Sequence, residues 1–124
     1  MAIELIIKKL GVNGYDIYGI SENRCLVREF INGLEGSSRE KLWAILKRIA
    51  EHGPPRNIEK FRVLGDSIFE IKSYQVRILC FFEKGQMIIL IHGFIKKSSK
   101  TPPSEIERAK RLRNIYKRWK GEIK

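Results

Sequence analysis

The run YQVRILCFFEKGQMIILIHGFIKKSSKT, residues 74–101, decides the fold of this chain. Two long apolar segments flank a turn at 84–85, and two β-rich runs around a short turn are typical of a β-hairpin. A two-residue turn predicts a register in which Arg77 lies opposite His92 on one face of the sheet. Directly opposite side chains lie about 5 Å apart at Cβ, so we expect these two polar residues to share one ligand.

A second tight turn, near Ser73 and Tyr74, predicts that residues 67–72 form a strand beside the first strand of this hairpin. In that register Glu70 lies opposite Arg77, so Glu70, Arg77 and His92 form one polar row. A register shift of one residue would move Glu70 to the other face. The residues alone leave two alternatives open: a structural ion pair between Glu70 and Arg77, and a buried, hydrogen-bonded His92.

The rest of the chain predicts a single domain over residues 1–124. Alternating apolar residues predict a strand over 2–10 and a short strand over 15–20. Helical spacing predicts a helix over about 24–34 and an amphipathic helix that Gly53-Pro54-Pro55 ends. A short edge strand is expected over 58–64, and a last helix from Ser104 to about Lys120, where Gly121 ends it.

Charge is concentrated at the end of the chain. The net charge is +11, and residues 96–124 hold 11 Lys and Arg against 3 Glu. This surplus predicts an anionic partner, namely a nucleic acid, an acidic protein or a membrane surface. The last helix carries a basic stripe that we expect to contact RNA, and a solvated surplus of lysine is the plain alternative. The stripe consists of Lys110, Arg113, Lys117 and Lys120.

The two cysteines, Cys25 and Cys80, are far apart and suit a reducing compartment. Neither a signal peptide nor an apolar run long enough to cross a bilayer is recognisable. We therefore expect a cytoplasmic protein without membrane association.

Several classes of chemistry lack their motifs. The glycines do not form a phosphate-binding loop, and spacings typical of metal ligands or of a serine–histidine–acid triad are missing. We therefore expect no metal and no cofactor. What remains suits cleavage of RNA by its own 2′-hydroxyl, which needs positioned cations and proton transfer.

Candidate catalytic residues follow from that chemistry. Arg77 suits stabilisation of charge on phosphorus, because its planar fork matches two phosphate oxygens. The lysines after the hairpin, Lys96, Lys97 and Lys100, suit neighbouring phosphates. His92, Glu70 or a lysine with a lowered pKa is the candidate general base.

The chain resembles a known family at this point. The runs LGD at 64–66, IFEIKSYQVRILCFF at 68–82 and IILIHGFIKKSSKTPPSEIERAK at 88–110 resemble the phage-encoded, HigB-like branch of the RelE/ParE toxin superfamily. The resemblance implies an α+β fold: an antiparallel β-sheet with an N-terminal helical hairpin and a C-terminal helix. Arg77 matches the strand arginine that RelE-like members use at the scissile phosphate, and Lys72 lies near a basic strand position that they also use.

The resemblance also implies a function and partners. Such proteins are toxins of type II toxin–antitoxin pairs, neutralised by a helix-turn-helix antitoxin, and they cut mRNA on the ribosome without a metal. Two other functions fit the same fold: inhibition of DNA gyrase, as in the ParE branch, and non-catalytic binding of RNA or antitoxin by a phage-derived protein. This chain departs from many relatives at Cys80, where their R-x-x-Y pattern has a tyrosine.

Overall fold

The structure is a computed structural model that describes residues 1–57 and 59–121. Strands occupy both halves of the chain, and two helices connect them. The strands are β1 (Ala2–Ile7), β2 (Asp16–Glu22), β3 (Arg24–Cys25), β4 (Phe61–Gly65), β5 (Ile68–Ser73), β6 (Val76–Glu83) and β7 (Met87–Ile95). The helices are α1 (Leu26–Asn32), α2 (Gly36–His52) and α3 (Pro103–Lys120).

One mixed sheet contains all of these strands. Its order is β1-β2-β7-β6-β5-β4, and the short β3 pairs with β2. β2 runs parallel to β7, from the pair Asp16 and Met87 to the pair Gly19 and Leu90, while the other neighbours are antiparallel. The predicted antiparallel sheet is therefore wrong. Turn residues reveal hairpins between consecutive strands, but they carry no information about the pairing of strands that are distant in sequence.

The predicted N-terminal helical hairpin is also wrong. The chain begins with β1 and β2, and the two helices that follow pack on the sheet: α1 on β7 and β2, and α2 on β5, β1 and β2. Each helix has its own apolar stripe, with Val27 and Ile31 buried in α1 and Leu42 and Leu46 buried in α2. Both stripes are covered by strands, because the sheet offers a larger apolar surface than either short helix.

Two apolar layers cover the sheet. One lies under α1 and α2 and includes Ile78, Cys80 and Leu90. The other lies under α3 and includes Phe81 and Ile89. The central strands β6 and β7 are thus buried on both faces, which explains why their sequence is almost continuously apolar.

The register of the central hairpin differs from the predicted one. Glu83 pairs with Met87, so the turn has three residues, and an irregularity between Leu79 and Cys80 shifts the pairing again. Arg77 consequently lies opposite Phe94, and His92 lies opposite Leu79. The predicted direct pairing of Arg77 with His92 is wrong because the longer turn and the β-bulge each add one residue to β7's side.

The register between β5 and β6 differs from the predicted register by two positions. Lys72, not Glu70, lies opposite Arg77, and Glu70 lies opposite Leu79. The turn consists of Tyr74 and Gln75, since Ser73 pairs with Val76. A shift of two keeps every side chain on its predicted face, so Glu70 and Arg77 remain diagonal neighbours.

The remaining predicted elements are present with small shifts. The edge strand predicted over 58–64 is β4, and residue 58 lies outside the described residues. α3 begins one residue before the predicted Ser104, at Pro103, and ends at Gly121, whose φ of 88° is the left-handed conformation that favours glycine. None of the helices within the described ranges is both long and apolar enough to cross a membrane.

Candidate functional site

A group of charged side chains gathers at one end of β4, β5 and β6, on the face that carries α3. Cross-strand pairing places Arg62 opposite Glu70 and Lys72 opposite Arg77. Lys96, which follows β7, joins them because its backbone N–H donates to the carbonyl of Gln75 at 2.7 Å. We call Arg62, Glu70, Lys72, Arg77 and Lys96 the sheet-end cluster.

Glu70 is the centre of the sheet-end cluster. Its side chain is 0% exposed, and its Oε1 lies 3.4 Å from Arg62 Nη2 and 3.6 Å from Arg77 Nε. The Thr101 hydroxyl donates to Oε2, and Arg62 Nη2 lies 3.5 Å from the same hydroxyl. A fully buried carboxylate needs such partners, because an unpaired buried charge is costly. The predicted Glu70–Arg77 contact therefore exists as a buried ion pair.

Arg77 is held firmly by the protein. The residue is 6% exposed, and Nη1 donates to the carbonyls of Tyr74 and Val76. Burial lowers the pKa of its guanidinium, while Glu70 opposes that shift. Nε is buried without a hydrogen-bond partner, and no described protein group accepts a hydrogen bond from Nη2. Arg77 thus has a fixed orientation and one terminal nitrogen left to donate to a ligand.

Lys96 is the second buried cation. The residue is 8% exposed, and desolvation followed by the Arg77 charge lowers the pKa of its ammonium group. Arg62 and Lys72 lower the pKa further, and Glu70 raises it. Arg62 and Arg77 thus contact the Glu70 carboxylate, and the charges of Lys72 and Lys96 act on the same cluster. Four cations against one carboxylate leave the sheet-end cluster with surplus positive charge, which favours an anionic ligand.

The segment after Lys96 is fixed at both ends and exposed between them. It starts at the Lys96–Gln75 backbone hydrogen bond and ends at buried Thr101, which donates to Glu70. Lys97 and Lys100 lie between these anchors and are exposed, and neither has an ion-pair partner among the described residues. These predicted phosphate-binding residues therefore lie beside the sheet-end cluster.

His92 lies elsewhere on the same face. It is 2% exposed, and its Nε2 lies 3.2 Å from the carbonyl oxygen of Glu105 in the first turn of α3. Because a carbonyl only accepts, Nε2 carries the proton, and Nδ1 is buried without a partner. Burial lowers the pKa of His92 and so favours the neutral ring. None of the contacts in the described ranges joins His92 to Arg77, and its catalytic role stays a prediction.

The predicted basic stripe of α3 is largely paired with acids. Arg113 is buried, donates to the Asp66 backbone carbonyl and lies 3.4 Å from the Asp66 carboxylate. Lys110 lies 3.5 Å from Glu107 and 3.9 Å from Asp66. Lys120 lies 2.5 Å from Glu83, which also accepts from the Tyr116 hydroxyl. Lys117, half-buried, has no ion pair in the described part of the chain.

Sequence reasoning missed three residues of the site. Arg62 and Thr101 reach Glu70 from β4 and from the segment before α3, and Tyr74 supplies a carbonyl to Arg77. Arg62 follows the buried Phe61 in a polar and apolar alternation, which only weakly indicates an edge strand. No sequence pattern indicated that Thr101 belongs to the site. Cys80, at the tyrosine position of the R-x-x-Y pattern, lies on the opposite face from Arg77, and burial raises its thiol pKa.

No group of three or more His, Cys, Asp or Glu suitable for a metal occurs within 1–57 and 59–121.

Comparison with known proteins identifies the family. The family model for phage-derived protein Gp49-like (DUF891) matches residues 29–114, which is more than half of the chain. The chain therefore belongs to the Gp49-like family, a family of RelE/HigB-type toxins. No curated protein matches the chain significantly.

Proposed function

We propose that this protein is the toxin of a type II toxin–antitoxin pair and cuts mRNA on the ribosome. The family supports the toxin assignment. The observation that carries the proposed activity is the sheet-end cluster, in which four cations accompany one buried carboxylate beside an exposed lysine segment.

Substrate binding follows from the arrangement of charge. The scissile phosphate contacts Arg77 Nη2 and lies beside the Lys96 amine, and the neighbouring phosphates contact Lys72, Lys97 and Lys100. The carbonyls that bind Nη1 fix the guanidinium before RNA arrives. Fixed donors stabilise developing charge without the cost of reorganisation.

The reaction forms a bond from the ribose 2′-oxygen to phosphorus and breaks the bond from phosphorus to the 5′-oxygen of the next nucleotide. The products are a 2′,3′-cyclic phosphate and a 5′-hydroxyl. The proton of the 2′-hydroxyl passes to a general base, and the leaving 5′-oxygen takes up a proton from water. Arg77 stabilises the extra negative charge on phosphorus.

Lys96 is the best placed of the candidate bases. Glu70 is fully buried and engaged by two arginines and Thr101, and His92 donates to the carbonyl of Glu105. The lowered pKa of Lys96 increases the neutral fraction that accepts a proton. The proposal includes two further points. The protein acts in the cytoplasm, and a helix-turn-helix antitoxin binds and neutralises it.

The test is cleavage of a defined mRNA in a reconstituted translation system. We expect cuts within codons, 2′,3′-cyclic phosphate ends, and no cutting of the same mRNA without ribosomes. Intact mRNA, combined with inhibition of DNA gyrase in a supercoiling assay, would contradict the proposal and favour the ParE-like alternative.

A further inference from the structure

Thr101 joins the exposed lysine segment, residues 97–100, to the sheet-end cluster through its side chain. It is 7% exposed, and its hydroxyl donates to Glu70 Oε2. The other oxygen of the same carboxylate, Oε1, lies 3.6 Å from Arg77 Nε. Glu70 therefore connects the residue that follows the lysine segment to the arginine that we assign to the scissile phosphate.

The lysine segment has few other restraints. Residues 97–100 belong to neither a strand nor a helix, and within the described part of the chain none of their backbone groups bonds to another backbone group. The Ser98 hydroxyl donates to the carbonyl of Lys100, which is a contact inside the segment. The position of the segment on the protein thus depends on the two residues that flank it, Lys96 and Thr101.

The two flanking residues are anchored in different ways. Lys96 is anchored by a backbone hydrogen bond to Gln75, which does not depend on its side chain. Thr101 is anchored by its hydroxyl, and a hydroxyl bonded to a buried carboxylate makes a strong, charge-assisted hydrogen bond. A substitution that removes this hydroxyl therefore releases one end of the lysine segment and leaves the other end in place.

From these contacts we propose that Thr101 is a positioning residue for RNA binding, because its bond to Glu70 holds the lysine segment in place. The distance from Lys97 and Lys100 to Arg77 is then set before RNA arrives. A segment that is already ordered loses less conformational freedom when it binds, so the restraint increases affinity. This inference rests on the proposed function and gives a role in it to a residue that does not touch RNA.

Positioning by Thr101 should affect binding more than the chemical step. Arg77 donates to the Tyr74 carbonyl. The backbone N–H of Lys96 donates to the Gln75 carbonyl. Neither of these bonds involves the Thr101 hydroxyl, so its loss should raise the KM of mRNA cleavage and leave kcat nearly unchanged.

Thr101→Val tests the proposal, because it removes the hydroxyl and keeps the branched shape of the side chain. Thr101→Ser, which keeps the hydroxyl, is the matched control. In the RNA-free protein, ¹⁵N relaxation should show residues 97–100 ordered in the wild type and in Thr101→Ser, and mobile on the ps–ns timescale in Thr101→Val. Fluorescence anisotropy with a labelled single-stranded RNA should show about five-fold weaker binding by Thr101→Val alone.

A double-mutant cycle separates positioning from a general loss of structure. If Thr101 acts through the lysine segment, Thr101→Val should not weaken RNA binding further in a protein that already carries Lys97→Gln and Lys100→Gln. A merely structural role would weaken binding equally in both backgrounds and would overturn the proposal.

Three other results would overturn the positioning role. They are mobility of residues 97–100 in the wild type, which is measured without any variant, unchanged RNA affinity of Thr101→Val, and equal weakening by Thr101→Ser. Cleavage of translated mRNA is measured in parallel. Cutting with the same KM by the wild type and Thr101→Val would refute the positioning role alone. Thr101-dependent RNA binding without any cutting would refute the proposed function alone.

Discussion

Two basic regions of this protein look alike in sequence and differ in structure. The sheet-end cluster, with Lys97 and Lys100 beside it, has more cations than acids within reach. The basic stripe of α3 contacts Asp66 in the β4–β5 turn, Glu83 at the end of β6 and Glu107 of α3 itself. A count of lysines and arginines weighs both groups equally, whereas three of the four stripe residues contact acids and the cations of the sheet-end cluster outnumber its single carboxylate.

The same contrast separates the two buried arginines. Arg113 uses its guanidinium to bind the Asp66 turn and thereby fixes α3 on the sheet. Arg77 is equally buried, but its Nη2 makes no hydrogen bond to the described residues. One arginine therefore serves structure, and the other combines a structural contact with capacity for a ligand.

The largest expected effect is that of Arg77→Lys. This change keeps the charge and removes the planar fork, so mRNA cleavage should fall about 100-fold, as after loss of one transition-state donor. Arg113→Lys is the matched control and should cleave as fast as the wild type. Both rates come from primer extension on translated mRNA. Equal losses for the two variants would mean that the two basic regions do not differ in function.

A smaller effect should appear in the salt dependence of RNA binding. Neutralising Lys97 and Lys100 together, as Lys97→Gln with Lys100→Gln, should reduce the slope of log K against log salt by about 1.4, because each single-strand phosphate contact contributes about 0.7. The pair Lys110→Gln and Lys120→Gln should leave the slope unchanged. If only the α3 pair of substitutions reduced the slope, α3 and not the sheet end would contact the RNA.

The α3 stripe should instead contribute to stability. Arg113→Met removes the hydrogen bonds to Asp66 and is expected to lower the free energy of unfolding by about 1–2 kcal/mol. Urea denaturation followed by circular dichroism measures this change. Lys117→Met, on the same helix and without an ion pair among the described residues, should unfold like the wild type. An unchanged midpoint for Arg113→Met would remove the structural role assigned to this residue.

The smallest effect concerns pH. Burial lowers the pKa of His92, so the unfolded chain binds a proton more readily than the folded protein does. Stability should therefore be complete above the ordinary histidine pKa of about 6.5 and decline as the pH falls below it. His92→Gln should lack this part of the decline, whereas exposed His52→Gln should keep it. Thermal unfolding measured across this pH range tests the prediction. If stability depended on pH in the same way for the wild type and His92→Gln, the loss of stability could not be assigned to His92.

Local patterns in the sequence predicted local structure well. The hairpin at 74–101, the helix ending at Gly121 and the common face of Glu70 and Arg77 all follow from turn residues and period-two alternation. The parallel pairing of β2 with β7 does not, because it joins residues such as Asp16 and Met87 that are distant in sequence. The β-bulge near Cys80 likewise left no residue signal, and it moved His92 out of line with Arg77.

Only the parts of the candidate site that follow directly from a local sequence pattern could be predicted. Arg77 and the lysine segment stand out because charge interrupts or follows an apolar run. The partners that orient them, Arg62 and Thr101, come from elsewhere in the chain and become neighbours only when the sheet forms. The ion pairs of the α3 stripe could not be predicted either, because Asp66 in the β4–β5 turn and Glu83 at the end of β6 are distant from α3 in the sequence.

The most direct test of the central claim is an NMR titration of the purified protein with a short single-stranded RNA, following backbone amides. Our account predicts that the largest shifts occur at residues 72–77 and 95–101, around the sheet-end cluster. Largest shifts along residues 108–120, with little change at the sheet end, would contradict it.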